Sequence, residues 1–292
     1  MKGLITKGIA GFYYVKTHQG LFQCKARGIF KNEGITPCVG DYVEMEVTDK
    51  EDDEGIINKI LPRKNIFIRP PISNIDLFVI VIATEDPQPN TEIIDKFLVT
   101  AELAEVEVLI CINKEDLAVS ENPEVENKTR KLMDTYDDLY KTILISAKTN
   151  KGLDSLKKYM KGKKSALVGP SGVGKSTIIN SLEQGFHLET GHISRKTKRG
   201  KHTTRHVEIF DTDFGAQIYD TPGFTSFEVK QDEYVGLEYL FPEFRPYMNK
   251  CKFHNCKHME EPGCSIKQAV KDGKVSGSRY ESYKRIGEKW ND

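Results

Sequence analysis

The sequence predicts a multi-domain fold in three parts. These are an all-β barrel at the N-terminus, a central α/β unit on a mostly parallel sheet, and a mainly helical, loop-rich C-terminal part. Three observations predict it. Residues 1 to about 66 hold short strand-like runs punctuated by glycine and proline. From about Asp76 the rhythm changes to strand, helix, strand. After about Phe227 the parallel-sheet runs stop, and cysteine and histidine crowd into the stretch between Cys251 and Cys264. The expected domains are 1–66, 67–227 and 228–292.

Composition bounds the function. A chain of 292 residues can bury sizeable cores. Its 43 Lys and Arg balance 43 Asp and Glu, which excludes a uniformly basic nucleic-acid coat and an acidic tail protein while leaving room for a local basic patch. The longest apolar run, Leu77–Ala83, falls far short of a membrane span, and residues 1–11 hold no stretch suited to a signal peptide. A cytoplasmic protein with no membrane partner is expected. Six cysteines are too few for a disulfide framework in so long a chain, so their expected chemistry is metal binding.

In the first part the runs are Leu4–Ala10, Phe12–Val15, Leu21–Arg27, Tyr42–Val47 and Ile56–Leu61. Five short strands suggest a small barrel of the OB type. Asp49–Glu54 reads as a solvated hairpin loop and the proline-bearing Arg63–Pro71 as a linker. In the second part Leu77–Ala83 and Val106–Ile112 are buried-strand runs, and Thr91–Ala104 carries Ile94, Phe97, Leu98 and Ala101 at helical spacing. A polar helix around Glu124–Leu139, strand Thr142–Ile145, helix Leu153–Met160 and strand Ser165–Val168 follow. Ligands of such sheets bind beyond the carboxyl ends of the strands, so the residues after each strand are those to read.

Strand Ser165–Val168 runs into Gly169, Pro170, Ser171, Gly172, Val173, Gly174, Lys175, Ser176 and Thr177, and then into an apolar helical stretch. This is a phosphate-binding loop in its required context. Glycines let successive N–H groups curl around a polyphosphate, and the helix N-terminus adds its positive end. Lys175 would neutralise the β- and γ-oxygens, and the Ser176 hydroxyl would bind Mg²⁺. Asn113, Lys114, Glu115 and Asp116 follow strand Val106–Ile112. A carboxylate at Asp116 can accept from N1–H and N2–H₂ of guanine, whereas adenine would leave it unpaired. Lys114 would lie along the base, and Asn113 would tie this loop to the phosphate loop. Ser146, Ala147 and Lys148 follow strand Thr142–Ile145, where the Ala147 N–H would meet guanine O6.

Asp220-Thr221-Pro222-Gly223 follows a strand candidate at Ala216–Tyr219. Asp220 would hold Mg²⁺ through water and the Gly223 N–H would sense the γ-phosphate. Upstream, one of Thr203 and Thr204 would supply a hydroxyl to Mg²⁺; Thr204 is slightly favoured and the sequence does not decide. The loop order is unusual: the guanine loops precede the phosphate loop. Cutting the chain elsewhere preserves the site, because all these loops share one sheet edge. In this order the segment after Gly223 leads straight into the C-terminal part, which hydrolysis could reposition. Phe224 stands where many such enzymes have a water-orienting Gln, implying slow intrinsic hydrolysis. His202 is the candidate for that water, or a merely solvated histidine.

Cys251, Cys256, His258 and Cys264 offer a full tetrahedral set for one structural Zn²⁺, with His254 as a competing imidazole. The basic run Arg195–Arg205 would contact RNA phosphates or be an ordinary solvated loop. Phe12, Tyr13, Tyr14 and Phe22 would stack on bases or fill the barrel. Beside a GTPase, the rival readings are a guanine-sensing RNA-binding scaffold and a nucleotide kinase; the guanine loop and the Asp220–Gly223 motif argue against the kinase.

Together these motifs, in their permuted order and with the cysteine cluster, resemble the RsgA (YjeQ/YloQ) family of bacterial GTPases across essentially the whole chain. The resemblance implies an OB domain, a circularly permuted GTPase domain and a C-terminal zinc domain. It implies a cytoplasmic protein, expected to be a monomer, that binds the small ribosomal subunit (16S rRNA and ribosomal proteins) late in maturation and hydrolyses GTP there. It also implies that His258 rather than His254 completes the zinc set. Arg205 departs from relatives, in which a third Thr is common.

Overall fold

Alternating apolar and polar side chains build the N-terminal strands. The computed structural model describes residues 1–32, 34–49, 51–119, 123–183, 207–220, 227–229, 235–288 and 290. Strands β1 (Lys2–Ile9), β2 (Phe12–Thr17) and β3 (Gly20–Ala26) form a meander, followed by a short helix α1 (Ile29–Asn32) and by β4 (Tyr42–Asp49) and β5 (Glu54–Ile60). The order β1-β2-β3-β5-β4 closes where Gly3 pairs with Val43. Ile5, Val15, Cys24, Val43 and Ile57 point inward and are fully buried. Ala10 and Gly11 both have positive φ (49° and 85°), as a two-residue hairpin of the primed type requires. The acidic stretch is the expected hairpin: Asp49 Oδ1 accepts from the N–H of Glu51 at 2.8 Å.

Arg63–Pro71 is not a loose linker. β6 (Ile66–Arg69) pairs with β7 (Ile72–Ser73) and with β14 (Glu228–Val229). Asp41, fully buried in the barrel, draws this segment in. It accepts from Arg63 Nε and Nη2, both at 2.7 Å, and from Ser73 Oγ at 2.6 Å. A buried carboxylate must find such partners within the protein.

The central part runs β8 (Leu77–Ala83), α2 (Thr91–Leu103), β9 (Glu107–Asn113), α3 (Glu115–Val119), α4 (Pro123–Tyr136), β10 (Lys141–Leu144), α5 (Leu153–Met160), β11 (Lys164–Val168), α6 (Lys175–Leu182), β12 (Glu208–Asp211) and β13 (Gln217–Asp220). The order β10-β9-β8-β11-β13 is parallel, as expected, and β12 joins antiparallel to β13. All seven residues of β8 are buried, and its pleat sends alternate side chains to two cores. Phe78, Ile80 and Ile82 meet Ile94, Phe97 and Leu98 of α2; Val79 and Val81 share the other core with Leu156 and Ile178. β12 also pairs with β1 through Lys7 and Glu208, so sheet and barrel form one continuous surface.

The C-terminal part has two 3-10 turns, Leu237–Leu240 and Pro242–Tyr247, and helices α7 (Ser265–Lys271) and α8 (Gly277–Gly287). Phe241, Phe244 and Tyr283 fill its core. α8 packs on α2 around Arg279, which has no exposed surface and bonds Asp95 Oδ1 at 2.7 Å and Glu243 at 2.7 and 3.0 Å. Among the described residues no helix is long and apolar enough to cross a membrane.

Candidate functional site

The glycine-rich loop that the sequence marks as a candidate phosphate loop connects β11 to α6. Gly169, Gly172 and Gly174 take φ of 138°, 82° and 96°, where a side chain is strained. A Cβ on Gly169 would also strike the Val81 carbonyl, and one on Gly174 the Asn113 amide. Lys175 opens the helix, and its Nζ donates to the carbonyls of Gly169 and Pro170, both at 2.7 Å. Burial lowers its pKa to about 8. A bound phosphate would compete for this ammonium and favour its charged form. Ser176 and Thr177 share the first turn, half-buried and exposed respectively.

Asn113, the last residue of β9, joins three loops. Its Nδ2 donates to Val173 O at 2.9 Å, and its Oδ1 accepts from the Ala147 N–H at 3.0 Å. The loops after β9, β10 and β11 therefore meet at one sheet edge. Asp116 accepts from Ser146 Oγ at 2.7 Å, and Lys148 Nζ lies 3.8 Å from its other oxygen. Ser146 Oγ in turn accepts from the Thr149 N–H at 3.2 Å, which fixes the hydroxyl that aims the carboxylate. Glu115 turns to Lys151 at 2.7 Å.

Two details escaped sequence reasoning. The Ala147 N–H, expected to meet guanine O6, is already donated to Asn113. Lys114, at φ 67°, is fastened to the loop after β8: its Nζ donates to Asp86 O, and Thr84 Oγ1 donates to Lys114 O at 2.9 Å. That loop carries no motif, and only its place after a strand could have flagged it. Asp220 closes β13 with its carboxyl pKa raised, first by burial and then by Glu208 opposite. His202, Thr203, Thr204, Gly223, Phe224 and the run Arg195–Arg205 lie outside the described residues.

In the C-terminal part Cys251, Cys256, His258 and Cys264 place their donor atoms within 4.8 Å of one another. Tetrahedral Zn²⁺ demands edges of about 3.8 Å between sulfurs and about 3.5 Å between sulfur and nitrogen. Cys251 Sγ and Cys264 Sγ are 4.0 Å apart, and His258 Nδ1 lies 3.5 and 3.4 Å from them. The set thus fits a structural zinc ion. His254 is not part of it. Ser265 supports Cys251 Sγ through its hydroxyl at 3.1 Å and its N–H at 3.4 Å.

Residues 60–230 match the family of the RsgA GTPase, and residues 2–57 match the RsgA N-terminal domain. The chain belongs to the RsgA GTPase family. Two relatives named small ribosomal subunit biogenesis GTPase RsgA are similar end to end. That of Agathobacter rectalis is 44% identical, covering 99% of this chain and 97% of its own; that of Clostridium perfringens strain 13 is 43% identical, covering 97% and 96%. Among solved structures, YjeQ from Thermotoga maritima superposes with a TM-score of 0.83 at 35% identity, covering 98% of this chain and 96% of its own. YloQ, described as a circularly permuted GTPase, superposes with a TM-score of 0.80 at 35% identity, covering 100% and 95%. As an RsgA-family member the chain is a GTP hydrolase, with a permuted domain that takes a guanine nucleotide and Mg²⁺.

Proposed function

We propose that the protein assists late maturation of the small ribosomal subunit, binding 16S rRNA and ribosomal proteins and hydrolysing GTP faster when docked. The observation that supports this reading most is the Asn113 junction, which brings a guanine-type loop and a phosphate loop together within an RsgA-family chain. Asp116, aimed by Ser146, reads the guanine edge, and Lys114, Glu115, Ala147 and Lys148 complete the base-side wall. Gly169 to Thr177 cradle the phosphates, and Lys175 leaves its own loop carbonyls to meet the β- and γ-oxygens. Ser176 and Thr204 would hold Mg²⁺, with Asp220 behind it; the ion supplies charge neutralisation at the phosphates. Gly223 marks the γ-phosphate side, Thr203 flanks the switch threonine, and His202 orients the water in place of the missing Gln. Zinc would be held by Cys251, Cys256, His258 and Cys264 as a structural staple.

The domains of this reading are 1–66, 67–227 and 228–292, in a cytoplasmic monomer without a membrane partner. GTP turnover measured with and without purified small subunits tests it. Strong stimulation is expected, and a rate unchanged by subunits overturns the assignment. Asp116→Asn should weaken GTP and favour xanthosine triphosphate, and unchanged GTP affinity refutes the base reading.

A further inference from the structure

The barrel is joined to the nucleotide-binding sheet by more than backbone pairing. Lys7 on β1 stands opposite Glu208 on β12, and Glu208 stands opposite Asp220 on β13. Directly opposed residues on neighbouring strands project to the same face, so the three side chains form one row with charges plus, minus, minus. Lys7 Nζ meets Glu208 Oε2 at 2.6 Å. Like charges placed directly opposite repel, and Glu208 and Asp220 are such a pair. Asp220 is half-buried, whereas Lys7 and Glu208 keep 31% and 46% of their side-chain surface exposed. An exposed ion pair adds little to stability. Its charge would instead act at the neighbouring carboxylate, by offsetting that of Glu208.

We propose that Lys7, a barrel residue, is a positioning residue for the Mg²⁺–nucleotide site, acting through Glu208 on Asp220. The inference rests on the reading of Asp220 as the carboxylate behind Mg²⁺. Without Lys7, Glu208 adds an unbalanced negative charge beside Asp220. Phosphate binding is then opposed when Mg²⁺ is scarce and recovers when Mg²⁺ is abundant, because the cation neutralises the excess. A second pair at the same junction serves as the control. Lys16 bonds Asp211, but Asp211 faces Gln217 and not Asp220.

The experiment is a titration of fluorescent GDP into the full-length protein at a series of Mg²⁺ concentrations. Lys7→Met should weaken GDP about fivefold at low Mg²⁺ and converge on wild type at high Mg²⁺. Lys7→Arg should behave as wild type. Lys7→Met combined with Glu208→Gln should return close to wild type, since the charge that Lys7 offsets is gone. Lys16→Met should leave the Mg²⁺ dependence unchanged. An unshifted Lys7→Met, an additive double variant, or a Lys16→Met as affected as Lys7→Met overturns the proposal. Asp220→Asn in the same titration separates the two layers. If it leaves the Mg²⁺ dependence intact, the reading of Asp220 has failed. If it alters that dependence while Lys7→Met does not, the inference alone has failed.

Discussion

Replacing Arg279 with Met tests how the C-terminal part is held. Arg279 and Asp95 have no exposed side-chain surface and Glu243 has 8%. The guanidinium makes three hydrogen bonds to these two carboxylates and lies 4.6 Å from the Phe241 ring. Methionine keeps the apolar stem but strands both acids. Among the described residues Asp95 Oδ2 makes no hydrogen bond within normal reach, and Oδ1 would keep the Tyr136 hydroxyl at 2.9 Å. Removing one partner of a buried pair costs about 3–5 kcal/mol, or about 10 °C in melting temperature for a unit of this size. The loss should depend on pH. Burial holds the Asp95 carboxyl above its ordinary value, although Arg279, Ser282 and Tyr136 pull it down. Without Arg279 the burial effect prevails further, and Asp95 relieves its isolation by taking up a proton. A raised folded-state value gives a stability contribution that is present in acid and is lost as pH rises through that value. The deficit of Arg279→Met against wild type should therefore be smaller near pH 5 than near pH 7.5, measured by differential scanning calorimetry. A deficit under about 1 kcal/mol, or one equal at both pH values, would refute the reasoning.

Asn113→Ala leaves Val173 O and the Ala147 N–H without their shared partner and should weaken GDP about thirtyfold, measured by fluorescent-nucleotide titration. Lys175, with its pKa lowered to about 8 by burial, should take up a proton when GDP binds near pH 8 to 9, because phosphate favours the charged form. Calorimetric titration in buffers of different ionisation enthalpy reads this uptake, and Lys175→Met should abolish it. Cys256→Ser should lower bound zinc well below one ion per chain by elemental analysis and increase protease cutting after residue 235, while GDP affinity stays near wild type. Equal loss of GDP binding would show that the two parts fold as one.

The geometry of the glycine-rich loop and of the Asn113 junction was legible because few residue types can supply it. Only glycine takes the φ values of residues 169, 172 and 174 without strain, and Asn113 has both a donor and an acceptor to bridge two loops. The long apolar strands announced themselves in the same way. What stayed hidden depends on partners distant in sequence. Glu208–Asp211 and Glu228–Val229 are too short for a periodic signal and are strands because β13, β1 and β6 pair with them. The prolines of Arg63–Pro71 suggest a linker, but a buried Asp41 22 residues before Arg63 makes it ordered structure. Arg279 and Asp95 lie 184 residues apart, so nothing local marks either one as half of a buried pair. The barrel aromatics divide. Phe22 is core, while Phe12, Tyr13 and Tyr14 are half-buried, with Lys25 Nζ 5.2 Å from the Phe12 ring centroid.

The permuted order invites a direct mechanical link, in which the segment after Gly223 pulls on the C-terminal part as the γ-phosphate leaves. The intervening structure redirects that link. Phe227 packs against Phe67 and Phe78, with ring centroids 5.7 and 5.1 Å apart, and Glu228–Val229 pairs with β6. A pull from Gly223 would therefore meet residues 227–229, held on β6, the segment that Arg63 and Ser73 fasten to the barrel, before residue 235 in the chain. The C-terminal part takes its orientation from α2, to which Arg279 locks it, so any displacement of that part must carry α2 with it. The loop at the head of α2 also holds Lys114 through Asp86. On the proposed reading the γ-phosphate end of the site would connect to the barrel, and the base end to the part that carries the cysteine cluster. The two outer parts would respond to different halves of the same nucleotide.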